Sequence, residues 1–205
     1  MSAPAAGPRV FLVDDQPAIL KALARLLASA GCDVAAYDSA AAFLASGHAA
    51  EQGCLVLDLS MPEMDGMALQ RELAGRYAAL PVIFLTGHGD IDSGVRAMKQ
   101  GAFDFLTKPV DGDKLVAAVH AAFALNAGLR AAHAERGELR QRYDSLTPRE
   151  REVLALVAEG FLNKQIADQL GTVEKTVKVH RARVMAKMQA RSLSALVRLV
   201  DRLRA

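Results

Sequence analysis

The sequence predicts two folds in succession: an α/β doubly wound domain built on a five-stranded parallel sheet, then a small all-α domain containing a helix-turn-helix. Three observations carry this reading. From Val10 to Ala122, short apolar runs alternate with longer amphipathic ones, and after Asp144 that alternation stops. The two parts also differ in charge. Residues 1–124 hold 9 Lys and Arg against 14 Asp and Glu, a net of −5, whereas residues 125–205 hold 16 against 9, a net of +7. The basic half suits a polyanionic partner, and the acidic half tolerates a divalent cation while repelling nucleic acid.

In the first half, Val10–Val13, Val34–Tyr37, Cys54–Leu57, Val82–Leu85 and Phe103–Leu106 read as strands, mostly buried on both faces. Pro17–Ala30, Ala40–Ala45, Met67–Tyr77, Ile91–Gln100 and Lys114–Leu125 read as the helices between and after them. Strict β/α alternation implies right-handed crossovers and a parallel sheet covered on both faces. In such sheets the binding site lies outside the carboxyl ends of the strands. The domain plan is a flexible N-terminus over 1–8, the α/β domain over 9–125, a helical linker over 126–143 and the helical domain over 144–205.

In the second half, Thr147-Pro148-Arg149-Glu150 is a capping box with proline at the first helical position. That helix should run to about Glu159 and stop at Gly160. Asn163 should cap a short helix, Lys164–Leu170, and Gly171 should turn the chain into a longer helix, Glu174–Met188. Ser192 opens a last helix to about Leu203.

Composition narrows the function classes. With 52% apolar and 23% charged residues the chain is globular. Met1–Pro8 has neither the basic start nor the apolar middle of a signal peptide, and no apolar run reaches the ~20 residues that span a bilayer. The expectation is a cytoplasmic protein without membrane contact. Cys32 and Cys54 lack metal-ligand spacing and read as small apolar residues in a reducing compartment.

Asp14 and Asp15 follow the first strand and Asp58 ends the third, so the three carboxylates should meet in one crevice. They repel one another unless a cation neutralises them, and hard oxygen ligands suit Mg²⁺. Thr86 ends the fourth strand and Lys108 follows the fifth, adding a hydroxyl and an ammonium. Such a set can hold a phosphoryl group, with an Asp oxygen as nucleophile.

Val13-Asp14-Asp15, Leu57-Asp58-Leu-Ser-Met-Pro62 through Gly66, Leu85-Thr86-Gly87 and Phe105-Leu-Thr-Lys108-Pro109 together resemble the receiver domain of two-component response regulators, a flavodoxin-like fold. The resemblance covers residues 9–125. It implies that Asp58 is the phosphoacceptor, that Asp15, Asp58 and the Ser60 backbone carbonyl ligate Mg²⁺, and that Asp14 acts through water. It further implies that Thr86 and Phe105 form a switch pair and that the Lys108–Pro109 peptide is cis. An Asp-based phosphohydrolase is the rival reading, but such enzymes place an acid two residues after the nucleophile, and here Ser60 stands there. Gly87-His88-Gly89-Asp90 reads as the loop carrying the switch threonine; His88, two residues after Thr86, reads either as a solvated loop histidine or as a group that influences hydrolysis of the phosphorylated state.

Helix, tight turn, helix is the geometry that sets a second helix into the DNA major groove. On Glu174–Met188, Val177, Val184 and Met188 fall on an apolar stripe, while Lys175, Lys178, Val179 and Ala182 share another face flanked by His180, Arg181 and Arg183. Leu146-Thr-Pro-Arg-Glu-Arg-Glu-Val-Leu154, Asn163-Lys-Gln-Ile-Ala167 and Thr176-Val-Lys-Val-His180 resemble the LuxR-type output domain, and the combination resembles the FixJ and StyR subgroup. That similarity implies a recognition helix at Glu174–Met188, with DNA contacts from Lys164, Lys175, Thr176, Lys178, Val179, His180, Arg181, Ala182 and Arg183. It also implies that Ser192–Leu203 pairs two output domains. Gly171-Thr172-Val173 departs from the pattern: valine cannot cap, which leaves Thr172 as the expected cap. The partners implied are a sensor histidine kinase, promoter DNA, a second copy of the chain upon phosphorylation, and RNA polymerase. A regulator that dimerises without phosphate is the rival from the interaction class.

Overall fold

A computed structural model describes residues 7–74, 77, 80–87 and 91–204. Five strands, β1 (Arg9–Val13), β2 (Asp33–Tyr37), β3 (Gly53–Asp58), β4 (Val82–Thr86) and β5 (Asp104–Thr107), form one parallel sheet in the order β2-β1-β3-β4-β5. Side chains alternate across it, as strand geometry requires. Phe11, Val13, Leu55, Leu57 and Phe84 enter one apolar cluster, and Val10, Leu12, Cys54, Val56, Ile83 and Leu85 enter the other. Both faces are therefore dry, and helices α1 (Pro17–Ser29), α2 (Ala40–Ser46), α3 (Gly66–Ala74), α4 (Ile91–Lys99) and α5 (Gly112–Asp144) connect or follow the strands. Burial pushes the Cys54 thiol up to about 12, in keeping with an apolar role.

Most differences from the sequence reading are shifts of one or two residues. β5 begins at Asp104 instead of Phe103, and a short 3-10 turn at His48–Ala50, which no periodicity signals, precedes β3. α5 is longer than expected: it runs unbroken for 33 residues through Gly128 and Gly137. Its hold on the α/β unit extends beyond Leu125. The buried Asn126 side chain accepts from Gly53 N at 3.1 Å, and Arg130 donates to the Ala50 carbonyl at 3.0 Å. The chain divides into two compact units at Arg130 and Ala131. α5 also corrects the sequence reading on apolar runs, because one 18-residue window is apolar enough by composition to cross a membrane. Its residues Leu115, Ala118, Val119 and Ala122 are buried in the core of the α/β unit. Residues 1–6 of the flexible N-terminus expected over 1–8, and the expectations for His88, Gly89 and Asp90, lie outside the described residues.

The second unit packs α6 (Pro148–Ala158), α7 (Asn163–Gln169), α8 (Glu174–Lys187) and α9 (Leu193–Arg204) around Val153, Val157, Ile166, Val177, Val184, Met188 and Leu196. The capping box forms as predicted: Thr147 Oγ1 accepts from Glu150 N at 3.3 Å, and Glu150 Oε2 accepts from Thr147 N at 2.9 Å. Ser192 caps α9 by accepting from Ala195 N at 3.1 Å. Two caps differ from expectation. Asn163 is the first residue of α7, and its N-cap is Leu162, whose backbone N–H donates to Gln165 Oε1 at 2.8 Å. α8 has Val173 at its N-cap with no side-chain cap, so Thr172 does not fill that role. A residue one position too early in the chain cannot aim its hydroxyl at the free N–H groups of the first turn.

Candidate functional site

Strand register gathers the acidic site. Val13 pairs with Leu57, so the next residues, Asp14 and Asp58, emerge side by side from neighbouring strands. Asp58 in turn pairs with Leu85, which precedes Thr86, and Thr86 pairs with Thr107, which precedes Lys108. One step past the sheet edge thus holds residues from β1, β3, β4 and β5. The Lys108–Pro109 peptide is cis.

Asp14, Asp15 and Asp58 each bring a carboxylate oxygen within 4.8 Å of the others. Lys108 Nζ lies 2.7 Å from Asp14 Oδ2 and 3.1 Å from Asp58 Oδ2. Asp14 Oδ1 accepts from Gln16 N at 2.9 Å, and Asp58 Oδ1 from Ser60 N at 3.4 Å. Burial pushes the Asp58 carboxyl above the ordinary range, prevailing over the opposing pull of Lys108. Burial also works against the charge on Lys108, but its hydrogen bonds to Asp14 and Asp58 outweigh this and hold the ammonium above its usual value. Lys108 thus pairs with Asp14 and Asp58, while Asp15 Oδ1 is buried without a hydrogen-bond partner. An anionic oxygen left in that state, beside two more carboxylates, fits a hard divalent cation.

Thr86 is buried, and its hydroxyl donates to the Gly87 carbonyl at 3.0 Å. Phe105 is half-buried on β5 against α4, where a Cβ at Gly94 would lie 3.1 Å from its ring. Gly66 has a positional role. A Cβ there would meet the Asp58 carbonyl oxygen at 2.5 Å, so only glycine lets α3 start this close to the end of β3.

On α8 and at its C-cap, Val177, Val184 and Met188 are fully buried while Lys175, Lys178, Val179, Ala182 and Arg183 are exposed. The predicted faces are thus the observed ones. Thr176, His180 and Arg181 sit at the margin, and Lys164 is exposed on α7. Lys178 pairs with Glu174 at 2.9 Å, and Arg181 donates to Asn163 Oδ1 at 3.1 Å. That second contact was not foreseen, because nothing local in the sequence links residues 18 apart.

Two family models match the chain: "Response regulator receiver domain" over residues 10–120 and "Bacterial regulatory proteins, luxR family" over residues 144–200. The chain is a LuxR-type response regulator. The regulator is 43% identical to the response regulator protein TodT of Pseudomonas putida over 195 residues, covering 95% of this chain and 86% of that one. It is 45% identical to the transcriptional regulatory protein FixJ of Azorhizobium caulinodans, covering 93% and 90%. Among solved structures, the response regulator StyR superposes with a TM-score of 0.87 at 46% identity, covering 96% of this regulator and 99% of StyR. Full-length FixJ from B. japonicum does so with 0.59 at 39%, covering 96% and 97%. The regulator thus combines a receiver with a LuxR-type DNA-binding domain and acts in transcription.

Proposed function

We propose that this regulator is controlled by phosphorylation of Asp58, with a partner histidine kinase as donor in the cytoplasm. The observation that carries the reading is the position of Asp58 at the end of β3, beside Asp14 and Asp15 and 3.1 Å from Lys108. An Asp58 oxygen attacks phosphorus, the bond from phosphorus to the donor breaks, and an acyl phosphate forms; Lys108 offsets charge on the transferred group. Mg²⁺, held by Asp15, Asp58 and the Ser60 carbonyl with Asp14 acting through water, would neutralise the carboxylates that otherwise repel the donor. Ser60 stands where Asp-based hydrolases carry their acid, which favours a lasting phospho-aspartate over turnover.

In this reading Thr86 gives up the Gly87 carbonyl for a phosphoryl oxygen, and Phe105 turns inward. The face of α4 and β5 then pairs two receivers. Val95 and Met98, exposed on α4, supply apolar surface for that pairing. Two output domains would then engage two half-sites of a promoter, with α8 in each major groove and α9 completing the dimer, and RNA polymerase as a further partner. The test is intact mass after incubation with a small acyl phosphate. One phosphoryl group should add to the wild type with Mg²⁺, and none with chelator or in Asp58→Asn. Wild-type labelling of Asp58→Asn would end the reading.

A further inference from the structure

The DNA-binding unit contains a cleft apart from the exposed basic face of α8. It encloses about 240 Å³, bordered by the last turns of α5 and by α6 and α9. Its polar side is cationic. Arg140, Arg151 and Arg204 line it together with Tyr143, and the guanidinium groups of Arg140 and Arg151 lie 5.6 and 5.2 Å from the Tyr143 ring centroid. Arg140 is paired with Asp144 at 3.3 Å, and Arg151 donates through one terminal nitrogen to the Asp144 carbonyl at 3.0 Å. Arg204 has no acidic partner among the described residues. Arg151 Nε is buried and has no hydrogen-bond acceptor among them. The other side is apolar, formed by Leu154, Val200 and Leu203.

We propose that this cleft binds a small amphipathic carboxylate. Arg204 brings to the cleft an exposed guanidinium with no acidic partner among the described residues, and a ligand carboxylate supplies one. The guanidinium fork matches a carboxylate in shape as well as charge. The apolar wall then takes a short aryl or alkyl body, and the Tyr143 ring, already bearing two guanidinium groups, holds the arginines in place. Inorganic phosphate meets the cations but leaves the wall of Leu154, Val200 and Leu203 without a partner. The volume lies just below the usual range of about 300–1,000 Å³ for ligand pockets, which suits a fragment-sized acid.

The probe is benzoate, titrated into the full-length regulator by NMR, with benzamide and inorganic phosphate as comparators. Benzoate should bind saturably and shift the resonances of Tyr143 and Leu203, and benzamide and phosphate should bind at least roughly tenfold more weakly. Arg151→Gln should weaken benzoate by about tenfold or more. Because Arg151 also supports Tyr143, Arg204→Gln serves as the second variant: its side chain is exposed, the fold should be untouched, and benzoate should still weaken several-fold, as expected for a lost charged contact. Phosphate binding as well as benzoate, or unchanged benzoate affinity in both variants, would overturn the proposal.

Discussion

Lys187 Nζ donates to Glu150 Oε2 at 2.6 Å, joining the last turn of α8 to the capping box that opens α6. The same ammonium reaches the Ser145 carbonyl at 3.0 Å. The helix that carries the predicted DNA contacts is thus anchored at its far end by a carboxylate that also caps another helix.

The Lys187 hydrogen bond, with that from Thr147 N, holds the Glu150 carboxyl below its usual range. A depressed carboxylate pKa stabilises the fold fully above the unfolded value, near 4.3, and the contribution is lost as pH falls through the folded value. Glu150→Gln should therefore cost about 1–2 kcal/mol at pH 7, between an exposed pair and a buried one. Denaturant melts at descending pH should show the gap between variant and wild type narrowing below about pH 4. A constant gap would mean that the charge is not what matters.

Gly66→Ala should destabilise the receiver by about 2–3 kcal/mol. The added methyl meets the Asp58 backbone oxygen at 2.5 Å and the Phe84 ring at 2.9 Å, and backbone cannot move aside as a flexible side chain can. Equilibrium unfolding followed on receiver resonances checks this, with the output unit as internal reference.

Thr86→Ala should accept phosphate at close to the wild-type level yet respond to it poorly, because the hydroxyl is proposed to report the phosphoryl group and not to transfer it. Sedimentation of the phosphorylated proteins separates the two roles. Equal dimer formation would remove Thr86 from the coupling.

Lys178→Ala and Arg181→Ala should weaken DNA binding differently, since the residues lie roughly 60° apart on α8. Lys178 is exposed on the face of Lys175 and Val179, so its loss should relax base preference at one position by ~1–3 kcal/mol. Arg181 is half-buried and held by Asn163 at 3.1 Å, near the groove wall in this reading. Its loss should weaken selected and scrambled sites alike and lower the salt slope by about one. Affinities for both DNAs over a salt series decide it, and no change in either variant would remove α8 as the reading element.

Local pattern was enough to read the strands, the helix faces and the capping box, because period and cap chemistry act over a few neighbouring residues. Asp14, Asp58, Thr86 and Lys108 were legible for a related reason: alternating β and α elements return each strand end to the same sheet edge, so the end of a strand is an address. Tertiary structure decided which groups complete one another across long separations. Asn126 closes on Gly53, Arg181 on Asn163, and Lys187 on Glu150. It also decided that Val173 ends the turn into α8 uncapped, and that Arg140, Arg151 and Arg204 surround one cleft. No periodicity encodes such meetings. They arise when packed elements bring a donor within reach of an acceptor that burial has removed from water, and only the assembled core sets which pairs those are.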